Sequence, residues 1–119
     1  MKNEVKVSGN TIIIVYNGEK IIRNINSIRF CRAVCRYSEI YFDKDKPVLA
    51  PVGINKLALL LPEEFFFICH RRYIIHLGIL HDAIVKEDKI IYHSHFILVS
   101  RHRNKKFRDK TEVFHTSGN

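Results

Sequence analysis

Residues 66 to 77 read Phe-Phe-Ile-Cys-His-Arg-Arg-Tyr-Ile-Ile-His-Leu, and this stretch restricts the fold more than any other. Apolar side chains fill most of it, so it belongs in a core. His70, Arg71 and Arg72 interrupt it, and a buried segment carries no such charges unless they are paired. The chain must therefore reach the surface between two buried pieces. Two adjacent guanidinium groups delivered at the mouth of a hydrophobic element suit the gripping of anions, because each presents a planar fork of donors.

The flanking sequence is dominated by strand signals. Asn10 to Tyr16 is β-branched and apolar, and Asn17-Gly18 directly after it is a strong hairpin signal, which makes Glu19 to Ile25 the returning strand. Ile28 to Val34 reads as another strand, Cys35 to Ser38 as a tight connection exposing Arg36 and Tyr37, and Glu39 to Phe42 as the partner strand. Asp43 to Pro47 is a solvated turn. Between Pro51 and Pro62, Ile54, Leu57, Leu60 and Leu61 recur at three and four residues, which predicts a short helix near 53–61 lying on a sheet. Further on, the pattern predicts a buried strand at Phe66 to Cys69 and a helical turn or compact loop over Arg71 to Leu77. Strands are expected at Ile79 to Val85, Ile90 to His93 and Phe96 to Val99.

At Ser100, a good helix N-cap, the character changes. Residues 101–110 hold six Lys or Arg against Asp109 alone, so this run carries +5 of the chain's formal +8. A short basic helix near 101–109 would put Arg101, Lys105 and Arg108 on one stripe and Arg103, Lys106 and Lys110 on a second, with Phe107 as the anchor. Residues 111–119 read as a flexible tail, leaving 1–110 as one domain. With 119 residues and 46% hydrophobic composition, the chain has material for one core and not for two.

The positive excess points to nucleic acid or an anionic surface as partner. Cys31, Cys35 and Cys69 are odd in number and lack metal-type spacing, which argues against a disulfide framework and for a reducing compartment. No apolar run reaches membrane-spanning length and the N-terminus lacks a signal-peptide core, so the expected address is the cytoplasm. No closed set of metal ligands, strained nucleophile elbow or phosphate-cradling glycine run is present. No catalytic residue, metal or cofactor is therefore expected, and the chain does not read as an enzyme.

Taken together, Ile28-Arg29-Phe30 with Tyr37, Leu57 with Leu60-Leu61-Pro62, Phe66, His70-Arg71-Arg72-Tyr73-Ile74-Ile75, Ile79, and Val99-Ser100-Arg101 with Lys105-Lys106-Phe107 resemble the LytTR-type DNA-binding domain of bacterial transcription regulators. The resemblance covers nearly the whole chain. It implies a mainly β fold of stacked antiparallel sheets with short helices, which contacts double-stranded DNA from strand-connecting loops, commonly at direct-repeat sites. Two copies would then pair as a homodimer on adjacent repeats. Carried over by motif position, DNA contacts would fall on Tyr37, Arg71 and His102. The chain departs from the family pattern at Arg72, where Ser is usual, at His76, where Asn is frequent, and at Ile68, where Arg is common. The receiver domain that often precedes such a module is missing from the sequence, so a stand-alone regulator without phosphorylation control is expected.

The residues expected at the DNA are thus Arg36, Tyr37, Arg71, Arg72, Arg101, His102, Arg103, Lys105 and Lys106. Arg71 suits a base edge or phosphate and Arg72 the backbone. Arg101, Arg103, Lys105 and Lys106 suit phosphates near a helix N-terminus. Each has a plainer alternative. Arg71 and Arg72 could cover apolar neighbours with their stems, Tyr37 could be a half-buried sheet aromatic, and the basic run could be an ordinary solvated helix face. His70 is expected to bond nearby backbone and shape the Arg71 loop. A rival for the whole chain is a small basic module that docks an acidic protein partner or an anionic membrane surface.

Overall fold

The computed structural model describes the backbone of residues 2–117 and the side chains of residues 2–110. Eleven strands form three antiparallel sheets among the described residues. The outer layer pairs β1 (Glu4–Ser8), β2 (Thr11–Tyr16) and β3 (Glu19–Asn24) in that order. The central layer holds β4 (Ile28–Val34), β5 (Tyr37–Phe42), β6 (Val48–Ala50), β7 (Phe66–His70) and β8 (Tyr73–His76), ordered β6-β5-β4-β8-β7. The last layer is β9 (Ala83–Val85), β10 (Lys89–Tyr92) and β11 (His95–Leu98), with β10 in the middle. Helix α1 spans Ile54–Leu60 and helix α2 spans Arg101–Ser117.

The layering follows from which side chains alternate to which face. One face of the central sheet sends Cys31, Ile40 and Ile74 into a cluster with Ile12 and Ile14 of β2 and Leu57 of α1. The other face sends Phe30, Ile75 and Cys69 into a second cluster with Ile90, Ile97 and Phe107. Both faces of the central sheet are covered, so its strands carry apolar residues on both sides. A register shift between Ile28 and Phe30 in the β4–β5 pairing lets β4 send Ile28 to one cluster and Phe30 to the other.

Turn chemistry fixes the hairpins. Asn17 and Gly18 both have positive φ, as a two-residue turn matched to strand twist requires. Cys35 at φ 54° and His93 at φ 53° take the same left-handed region in the turns after β4 and β10. Among the described residues no helix is long and apolar enough to cross a membrane.

Several expectations need correction. Arg71 to Leu77 is neither a helical turn nor a loop: after Arg71 and Arg72 the chain re-enters the sheet as β8, between β4 and β7. Tyr73, Ile74 and Ile75 are aromatic or β-branched, and the flanking strands supply partners on both sides. Residues 79–85 are not one strand. A 3-10 helix occupies Leu77–Asp82, capped by the Gly78 N–H donating to His76 Nδ1 at 2.9 Å, and only Ala83–Val85 is extended. Strands β1 and β6 go beyond the expected set, each formed by pairing with a neighbour. Helix α2 runs past its expected end near 109, so residues 111–117 are helical in backbone, and the rest of the expected tail, 118–119, lies outside the described residues.

His76 carries a consequence for stability. Its ring lies between Phe65 and Phe66, burial lowers its pKa to about 4, and Arg29 pushes the same way. Above pH 6.5 the ring is neutral in both the folded and the unfolded chain and has no effect. Between pH 6.5 and about 4 only the unfolded chain takes up the proton, so stability should fall as pH falls and level off below about 4. Denaturant melts across this window should show that slope, and His76→Asn should flatten it.

Candidate nucleic-acid interface

The arginine turn is held by its neighbours on both sides. The Ala33 N–H donates to the Arg72 carbonyl at 2.8 Å, extending the β4–β8 ladder one step past Arg32 and Tyr73. The Arg72 N–H donates to His70 Nδ1 at 3.1 Å, so His70 shapes the turn as its sequence position suggested. Arg71 and Arg72 themselves are exposed. Because β4 and β8 are antiparallel, the turn after β4 and the turn before β8 lie at the same end of the central sheet. That end therefore carries Cys35-Arg36, Tyr37 at the start of β5, and Arg71-Arg72.

The N-terminus of α2 joins them. The Ser100 N–H donates to the Cys69 carbonyl at 2.9 Å, which places the start of α2 beside the end of β7. Ser100 Oγ accepts from the Arg103 N–H at 3.2 Å, an N-cap of the kind the sequence suggested. Arg103 Nη1 donates to the Ile68 carbonyl at 3.4 Å, Asn104 Nδ2 donates to the Glu87 carbonyl at 2.9 Å, and Phe107 is buried against Phe67. These contacts fix which way the helix faces. Arg101 and Lys105 are exposed, whereas His102, Arg103 and Lys106 line a groove of about 1330 Å³ between α1 and α2 together with Glu63, Glu64 and Asp109. The structure thus brings Arg36, Tyr37, Arg71, Arg72, Arg101 and Arg103 to one end, while Lys105 and Lys106 continue down α2.

The electrostatics agree with that placement. Burial lowers the His70 pKa first, and the positive charges of Arg71, Arg72 and Arg103 lower it further. Among the described residues, the ion pairs are Lys6–Glu4, Arg23–Asp45 and Arg32–Glu39, and none uses a cation of this end. Like charges gathered at one end without ion pairs repel one another, and an incoming polyanion removes that cost.

Sequence reasoning missed Tyr16, whose ring centroid lies 5.6 Å from that of Tyr37. The contact links the outer sheet to the central one across residues distant in sequence, and no local pattern signals it. The three cysteines are free, and burial raises the Cys31 thiol strongly and the Cys69 thiol to about 12, so neither is a thiolate at neutral pH. Among the described residues no group of three or more His, Cys, Asp or Glu is placed to hold a metal ion.

A model of the LytTr DNA-binding domain matches residues 18–112 of this chain. The chain belongs to the LytTR family. The LytTR domain is a DNA-binding module of transcription regulators and not a catalytic one. The match includes the arginine turn and the basic first turns of α2, while β1 and β2 precede it. Among solved structures, the chain is similar to a LytTr DNA-binding domain from Bacillus cereus at 13% identity, with a TM-score of 0.68 over 87% of this chain and 97% of that one. This likeness shows the LytTR fold of stacked antiparallel sheets. No curated protein matches the chain.

Proposed function

We propose that this LytTR domain is a sequence-specific binder of double-stranded DNA that acts in transcription regulation in the cytoplasm. The supporting observation is the meeting of three separate chain segments, around residues 36–37, 71–72 and 101–103, at one end of the central sheet, with no acidic partner for their arginines among the described ion pairs. Arg71, exposed on a turn whose backbone is pinned on both sides, is the residue suited to a base edge. Tyr37 and His102 are the other candidates for base discrimination. Arg36, Arg72, Arg101, Arg103, Lys105 and Lys106 supply phosphate contacts and hence salt-dependent affinity. The family resemblance adds direct-repeat sites and two copies per site.

Selection of bound duplexes from a random pool tests the reading. A recurring sequence is expected, preferred over scrambled competitor by about 4 kcal/mol or more. Equal binding to every duplex would instead favour a charge-only module that docks acidic proteins or anionic membranes. Lys105→Ala separates positioning from reading. It should weaken all duplexes alike and reduce the salt slope of log K by about one, because it removes one phosphate contact. A slope unchanged across a salt titration would remove Lys105 from the interface.

A further inference from the structure

Strand β2 ends on a tyrosine that meets the basic end of the central sheet. Along β2, Ile12, Ile14 and Tyr16 lie two residues apart and share one face. The first two are buried in the cluster between the outer and central sheets. Tyr16 carries that stripe past the rim of the cluster, where its ring centroid lies 5.6 Å from that of Tyr37 with the planes at 53°. Neither ring belongs to the cluster, and Tyr37 remains 38% exposed. Both partners stand on fixed backbone. Ser38, next to Tyr37, is fully buried and donates to the Val52 carbonyl at 2.7 Å, which anchors the start of β5. The Asn17 N–H, next to Tyr16, donates to Asn3 Oδ1 at 3.1 Å and ties the tip of the β2–β3 hairpin to the residue before β1.

We infer that Tyr16 is a positioning residue for base reading: it holds the Tyr37 ring in the orientation that meets DNA. The inference rests on the DNA-binding reading above, in which Tyr37 discriminates bases. The apolar cluster closes beneath the pair without either ring, so the contact fills no gap in the core. What it does is restrict Tyr37. A tyrosine standing out at the end of a sheet keeps its choice of rotamers and loses it on binding, whereas a ring already held by a neighbour has less freedom to lose. Immobilising one such side chain in advance corresponds to roughly threefold to tenfold in affinity. The match to the LytTr model begins at residue 18, after Tyr16, so the contact comes from the part of the outer sheet that precedes the matched stretch.

The test uses the full chain, a duplex selected from a random pool and its scrambled counterpart. Tyr37→Ala is expected to lose at least about fivefold on the selected duplex and to relax preference at particular base pairs. Tyr16→Ala should lose about threefold to tenfold on that duplex, relax the same base pairs and leave binding to the scrambled duplex unchanged. The double variant should bind no worse than Tyr37→Ala, because Tyr16 acts through that ring. Tyr16→Phe, which keeps the ring contact, should restore both affinity and preference. Thermal melting accompanies each titration, and if the alanine variant melts early, Tyr16→Leu, which fills space without a flat ring, carries the same expectation. Losses that add in the double variant, or a base preference unaltered at Tyr16→Ala, would overturn the inference and leave the DNA reading standing. Wild-type binding by Tyr37→Ala would overturn it together with the role of Tyr37, and failure to recover any preferred duplex would overturn it together with sequence-specific reading.

Discussion

Phe107→Ala is expected to destabilise the protein by about 3–5 kcal/mol, the usual cost of truncating a fully buried aromatic. Phe107 is 2% exposed, lies 5.7 Å from the Phe67 ring and belongs to the cluster built on Phe30, Ile75 and Ile97. Among the described side chains of α2, Arg103 and Asn104 each donate to a backbone carbonyl, and Phe107 fills the core one turn further on. A loss of this size is a large part of the stability of a small domain. Because the same helix carries six basic residues between 101 and 110, its release should also weaken binding to all duplexes. Denaturant melts and duplex titrations on the same samples check both effects, and Phe107→Leu should recover most of the lost stability. Unchanged melting of the alanine variant would mean that α2 is not docked through this ring.

Arg71→Ala is expected to cost about 1–3 kcal/mol on the preferred duplex and to relax base preference, with a smaller loss on scrambled sequence. The reason is geometric. The Arg72 carbonyl is tied to Ala33 and the Arg72 N–H to His70, so the backbone of the turn is fixed while the Arg71 side chain is free to reach outward. A guanidinium presents a rigid planar fork that matches the O6 and N7 acceptors of guanine, whereas an ammonium is a mobile point charge that fixes no such plane. Arg71→Lys should therefore keep affinity for scrambled duplex and still lose preference. Equal binding of wild type and both variants to the selected and scrambled duplexes would remove this turn from the reading surface.

Much of this was legible in the chain itself. The Asn17-Gly18 hairpin, β4 at Ile28–Val34, the short helix between two prolines and the Ser100 cap of a basic helix are local signals, set by turn chemistry and periodicity. Where the reading failed, the deciding partner was distant. Tyr73–His76 is a strand because β4 and β7 flank it, although the segment from Arg71 to Leu77 read as a helical turn or compact loop. Strand β6 exists because β5 offers an edge to Val48–Ala50, and β1 because β2 does so for Glu4–Ser8. Lys106 and Lys105 are neighbours in sequence, yet only Lys106 lines the groove with Glu63 and Glu64, since docking through Phe107 sets the rotation of the helix.

The sequence alone determined that the chain is mainly β, that it is strongly basic, that its positive charge is concentrated after Ser100, and that a pair of arginines must surface between two apolar pieces of chain. These properties follow from hydrophobic periodicity and from the cost of burying unpaired charge, both of which act over a few residues. Tertiary structure decided that Arg36, Arg71, Arg72, Arg101 and Arg103 share one end of one sheet. Antiparallel register and layer packing fix those placements, and both depend on contacts between residues far apart in the chain.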